Sequence, residues 1–160
     1  ITLSADFAAD TMSIAIEDDG CGMSEEMLAS VCDPFTTTRT TRKVGMGVPL
    51  FKYSAESAGG TFSIRSKIGE GTCVTATYKI SHVDRMPLGD IAATVASLVQ
   101  CNPDIDFTYT FRHGAGEFTA DTREFRQVLD GVPLSEPSVV GFIGSFIHEN
   151  TQEVLDTQAS

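Results

Sequence analysis

Asp18 and Asp19 stand side by side at the end of an alternating run and lead straight into Gly20, Cys21, Gly22 and Met23. Carboxylates in such a turn can bind a metal, exchange a proton or accept a hydrogen bond from an amino group. A hard cation asks for several oxygen ligands converging on one point, and adjacent aspartates point in different directions. An acceptor role asks for less. Glycines beside the carboxylate let a flat ring or a phosphate approach the backbone, because no Cβ is in the way. The exocyclic amino group of adenine is a fitting donor. The competing reading of D-x-G-x-G is a plain surface turn, a common use of Asp and Gly. The motif alone leaves both open.

Further motifs follow in order. Asp33–Thr38 reads DPFTTT, and residues 44–50 read VGMGVPL, a second glycine loop that opens a helix. Backbone N–H groups and the helix dipole at such a start favour phosphate. Between them Arg39, Arg42 and Lys43 form a basic cluster in an acidic chain. It is either a solvated loop or charge compensation for a triphosphate. GEGT at residues 69–72 is a third glycine motif, between two alternating runs.

The elements that must position these residues are legible from period and punctuation. TMSIAIE, residues 11–17, alternates as a half-buried strand, with ITLS before it as its expected hairpin partner. Ser24 suits the cap of a short helix, with Glu25 and Glu26 at its positive end. Pro49 suits the first turn of a helix that stops at Gly59-Gly60. TFSIRSKI and TCVTATYKI alternate on either side of GEG and predict a hairpin. After about residue 82 the texture changes. Leu88, Ile91, Ala92, Val95, Leu98 and Val99 fall at helical spacing. A second hairpin carries Phe107, Tyr109 and Phe111 on one face, with a turn at His113–Gly116. Asp121 with Glu124 reads as a capping box, and Pro137 opens a last helix.

Composition narrows the function classes. Twenty-two acidic against 11 basic residues give a net charge of −11, a poor match for nucleic acid or an anionic membrane. The 4 cysteines have no CxxC spacing and no histidine at ligand spacing, which argues against zinc and for reduced thiols in a cytoplasmic protein. No apolar run reaches membrane-spanning length.

Taken in order, the motifs resemble the ATP-binding domain shared by histidine kinases, heat-shock chaperones, repair ATPases and gyrase-type topoisomerases, the GHKL family. DDGCGM is similar to its first glycine box, DPF to its phenylalanine box, GMG to its second glycine box and GEGT to its third. The resemblance covers residues 1–82, closest to the module of bacterial sensor histidine kinases. It implies an α+β sandwich: a mixed, mostly antiparallel sheet with helices on one face. Residues 83–160 would form a small α+β extension of unassigned role. It also implies the site. Asp18 would receive the adenine amino group, Gly20 and Gly22 would form the turn beneath the base, and Met23 would pack against the ring. Thr72 would support Asp18, and Gly45 and Gly47 would meet the phosphates with Arg39 and Lys43. Phe35 would anchor the lid rather than touch ligand, and no residue is assigned a catalytic role. The implied cofactors are ATP and Mg²⁺, with the metal ligand on a helix upstream of this sequence, so the chain is expected to be a fragment. The implied partners are ATP and a response regulator or other regulatory protein, with self-association through a bared sheet face. His148, in FIHEN, is expected to be structural. Two alternatives are an ATPase of the chaperone or repair type and an ATP-gated or nucleotide-free interaction module.

Overall fold

The computed structural model describes residues 1–33 and 46–157. In chain order the elements are β1 (Thr2–Asp6), β2 (Thr11–Asp18), α1 (Glu25–Ser30), α2 (Gly47–Ser57), β3 (Phe62–Lys67) and β4 (Gly71–Lys79). They continue with α3 (Ile91–Cys101), β5 (Thr108–His113), β6 (Gly116–Asp121), α4 (Thr122–Leu129) and α5 (Pro137–Thr157). The strand pairings are mixed and mostly antiparallel, and the class is α+β, as the family resemblance implies. The chain divides into two compact units, Asp6–Met86 and a second that joins Ile1–Ala5 to the segment from Pro87 onward.

In the Asp6–Met86 unit three antiparallel strands run in the order β3-β4-β2. Register puts Met12, Ile14 and Ile16 opposite Tyr78, Ala76 and Val74, and puts Phe62 and Ile64 opposite the same Ala76 and Val74. These residues share one face because side chains alternate along a strand. Helix α2 covers part of that face. The Phe51 ring meets Phe62 edge-on at 6.1 Å, and the Ser54 and Tyr78 hydroxyls lie 3.1 Å apart. Ala55, within the helix, and Ala58, at its C-cap, are fully buried. The opposite face carries Ser13, Glu17, Ser63, Arg65, Thr75 and Thr77, the polar side of an antiparallel sheet. Asp10, in left-handed backbone, closes the unit by accepting the Ser81 hydroxyl at 2.6 Å and the Ser81 N–H at 2.8 Å. The hydroxyl bond is the main cause that holds the Asp10 carboxyl below its ordinary range.

Helix α1 begins where the sequence predicts. Ser24 is its cap and accepts the Met27 N–H at 3.2 Å, with Glu25 and Glu26 in the first turn. The link into α1 is tight. Gly22 has φ +64, and a Cβ there would sit 1.9 Å from the Lys67 carbonyl oxygen. Gly71 is tighter still. Its φ is +102, and a Cβ would lie 1.8 Å from the Asp18 carbonyl oxygen. The start of β4 therefore passes the end of β2 at a distance that only glycine permits.

In the other unit β1 pairs parallel with β5, and β5 pairs antiparallel with β6. Helix α5 packs on β5, β6 and α3. Tyr109, Phe111, Val99, Leu134, Ile143 and Ile147 are buried at its core. Phe118, Phe125, Phe142 and Phe146 form an aromatic cluster with centroids 5.5 to 6.1 Å apart. Leu88, expected in the helical pattern, lies outside α3. Asp90 caps that helix by accepting the Ala93 N–H at 2.8 Å, and Gly89 at φ +72 breaks the chain before it. The cap of α4 also differs from the capping box. Asp121 accepts the Arg123 N–H at 2.8 Å, and the Arg123 guanidinium closes back on the same carboxylate. The Arg123 hydrogen bond is the main cause that lowers the Asp121 pKa to about 2.

Three substitutions test these contacts. Gly71→Ala should cost about 1–3 kcal/mol or more in denaturant unfolding, since it adds backbone strain to a backbone clash. Gly47→Ala, at the start of α2 with none of the described residues within 4 Å of the added Cβ, should be neutral or mildly stabilising. Asp121→Ala should cost about 1 kcal/mol at pH 7 through loss of the cap. Asp121 has a depressed folded-state pKa, so its contribution is fully present above the ordinary value of 3.8 and is lost as pH falls through about 2. Parent and variant stabilities should therefore converge between those pH values.

Candidate functional site

The apolar face of β3-β4-β2 ends in a polar row. Asp18 is directly opposite Thr72, and Thr72 is directly opposite Ser66. The three side chains continue the lines Ile14–Ile16, Ala76–Val74 and Phe62–Ile64 on the same face. Helix α2 covers that face near Phe62 and Tyr78. Next to the polar row, Ile16 is 42% exposed. A flat apolar surface thus borders a line of hydrogen-bonding groups.

Each member of the row is tied down. The Asp18 side chain accepts the Gly20 N–H through Oδ1 at 2.9 Å, closing an Asx turn. The Gly69 N–H donates to the Cys21 carbonyl at 2.9 Å, joining the first glycine motif to the third. The Ser66 hydroxyl oxygen accepts the Met23 N–H at 2.8 Å, lies 3.0 Å from the Gly71 carbonyl oxygen and lies 2.9 Å from the Thr72 hydroxyl. One side chain therefore holds the backbone after the first glycine motif and both residues that open β4.

The structure brings together Asp18, Gly20, Gly22, Met23 and Thr72. Thr72 bonds to Ser66, rather than having its hydroxyl bonded to Asp18. Gly47 stands apart as the first residue of α2. Its cap residue, Met46, makes no side-chain hydrogen bond to the helix, and the first turn holds no acidic residue. Among the described residues no side chain caps the leading N–H groups of α2, and Pro49 has no N–H to offer. Phe35, Arg39, Lys43 and Gly45 lie outside the described residues, as does the rest of the expected lid. Asp19 is exposed beside Asp18. His148 is exposed on α5, a helix whose buried residues are Val139, Ile143 and Ile147. Among the described residues no group of three or more His, Cys, Asp or Glu side chains is placed to hold a metal ion. No described helix is long and apolar enough to cross a membrane.

Ser66 escapes motif reading because it lies outside the glycine boxes. One signal does mark it. In FSIRSK it is the polar residue that falls on the face of Phe62 and Ile64, where alternation calls for an apolar one.

Comparison with known proteins places these features in a family. The model of the histidine kinase-, DNA gyrase B-, and HSP90-like ATPase family matches residues 1–82. The non-motile and phage-resistance protein of Caulobacter vibrioides is 30% identical over 89 residues, 52% of this chain and 11% of that protein. An uncharacterised sensor-like histidine kinase of Rhizobium meliloti is 33% identical over 82 residues, 48% of this chain and 16% of that protein. The sensor histidine kinase AruS of Pseudomonas aeruginosa is 28% identical over 101 residues, 60% of this chain and 10% of that protein. The chain thus spans a small part of the length of the relatives it matches. With its first and third glycine motifs joined beside Asp18 and its matched region covering just over half the sequence, this chain belongs to the histidine kinase-, DNA gyrase B-, and HSP90-like ATPase family.

Proposed function

We propose that this chain is the ATP-binding module of a sensor histidine kinase-like signalling protein. In the full-length protein it would hold ATP for phosphoryl transfer to a histidine. The observation that carries this reading is the polar row at the uncovered end of an apolar sheet face, with Asp18 aimed by its Asx turn. A base lying on the apolar surface by Ile16 would present its exocyclic amine to the Asp18 carboxylate. Gly20 and Gly22 would let its edge approach the backbone, and Met23 would flank the ring.

The phosphates would extend toward the start of α2, where the leading N–H groups and the helix dipole attract negative charge. Gly45 and Gly47 would border them, Arg39 and Lys43 would balance their charge, and Phe35 would anchor the lid. ATP supplies the transferable phosphoryl group, and Mg²⁺ would accompany its phosphates. Among the described residues no group of three or more His, Cys, Asp or Glu side chains is placed to hold that ion. In this scheme the module works by positioning. The names of two relatives, a sensor-like histidine kinase and a sensor histidine kinase, support a signalling role. In this reading the module works in the cytoplasm with a response regulator or another regulatory protein as partner.

The test is Asp18→Asn. Asn keeps an oxygen to accept the Gly20 N–H, so the turn should survive and unfolding should be little changed. Loss of a charge-assisted hydrogen bond should weaken ATP binding by about 1.5–3 kcal/mol, roughly tenfold or more. Calorimetric titration of parent and variant measures it. Equal affinity would remove Asp18 from the site, and Asp19→Asn should have little effect.

A further inference from the structure

The three partners of the Ser66 hydroxyl fix the direction of every hydrogen bond it makes. A hydroxyl has one proton and two lone pairs. The Met23 N–H, 2.8 Å away, can only donate, so it takes one lone pair. The Gly71 carbonyl, 3.0 Å away, can only accept, so it takes the proton. One lone pair remains for Thr72 Oγ1 at 2.9 Å, and that bond forms only if Thr72 donates. The Thr72 proton is therefore turned toward Ser66 and away from Asp18. What Thr72 shows to the rest of the row is its lone pairs. Asp18, across from it, is an acceptor as a carboxylate.

The geometry points to Ser66 as a positioning residue that sets base selectivity by committing the Thr72 proton. Asp18 and Thr72 together then form an edge that only accepts. With the C6 substituent against it, such an edge favours an amino group, which donates, and opposes a carbonyl, whose lone pairs would meet those of Asp18 and Thr72. N1, an acceptor in the amino-purine and an N–H in the oxo-purine, carries the opposite preference and in this arrangement lies off the edge. This inference rests on the proposed nucleotide site. It adds the reason that site would distinguish amino-purine from oxo-purine nucleotides. Ser66 itself need touch no ligand. It acts through Thr72, while its bonds to Met23 and Gly71 keep both glycine motifs in place.

The experiment compares ATP with inosine triphosphate, binding to the 160-residue chain followed by NMR titration. The parent should prefer ATP by about tenfold, the scale of one hydrogen bond to a charged group. Ser66→Ala frees the Thr72 hydroxyl to rotate and donate to a C6 carbonyl, so the preference should fall to about threefold or less. Ser66→Thr keeps the hydroxyl and should keep the preference. Thr72→Val removes the group through which Ser66 acts, so adding Ser66→Ala to it should change the ratio no further. If Ser66→Ala yields no folded protein, Ser66→Cys serves instead, since its thiol is a weak donor and acceptor. A role limited to fold support would weaken both nucleotides alike and leave the ratio unchanged, and that result would overturn the inference. So would a parent that binds both nucleotides equally. A parent that binds neither would overturn the nucleotide site itself, and with it this inference.

Discussion

The structure of the candidate site depends on two backbones passing at a distance that leaves no room for a Cβ, the start of β4 across the end of β2. At Gly71 there is no space for a side chain, because the Asp18 carbonyl oxygen already occupies the position of a Cβ. This contact holds β4 in one register against β2 and puts Thr72 opposite Asp18. The next pairing puts Ser66 opposite Thr72. A slip of one residue would turn Thr72 to the polar face and bring Cys73 onto the apolar one. The row therefore exists as a consequence of backbone packing, and its side chains need only be short and polar. One glycine of the first motif and one of the third serve this packing, Gly22 against Lys67 and Gly71 against Asp18.

The face that carries the row is divided by α2. Over Phe62 and Tyr78 the helix supplies Phe51, Ser54, Ala55 and Ala58, and this part is core. Toward Ile16, Asp18 and Thr72 the same strands continue, while the burial of β2 falls from Met12 to Ile16 and Asp18. One strand can thus be structural at one end and available to a ligand at the other, with its alternation intact. Small-molecule sites typically combine apolar area with a few polar groups of fixed orientation. Here the hydrogen bonds that fix Asp18 and Thr72 come from Gly20 and Ser66, both within the same unit.

Much of this was legible in the sequence because local rules decide it. The alternation of TMSIAIE, TFSIRSKI and TCVTATYKI gave the strands and the face each residue occupies. Ser24 and Pro137 marked helix starts that the structure contains. The glycine motifs gave the neighbourhood of Asp18. Less legible was anything set by hydrogen-bond direction or distant contact. Ser66 belongs to no motif, and its importance arises only when β3, β4 and the turn before α1 meet around it. Asp121 caps through the Arg123 N–H because the Arg123 side chain is drawn to the same carboxylate, which no spacing rule reveals. The parallel pairing of β1 with β5 joins residues more than a hundred positions apart and has no local signal. Phe35, Arg39, Lys43 and Gly45 stay outside the described residues, so the lid rests on sequence.

The arrangement also indicates the kind of work Asp18 is suited to. A general base must take a proton and give it up, and it needs freedom to meet the reacting atom. Asp18 has the opposite design. Its Oδ1 is engaged by the Gly20 N–H, which fixes the plane of the carboxylate and leaves the other oxygen with a set aim. Thr72 is held in the same way by Ser66. Two groups with fixed lone pairs recognise a donor well and move protons poorly. A rigid row that recognises and does not react is what the proposed nucleotide-holding role asks of this module, since in phosphoryl transfer positioning accounts for much of what a protein contributes.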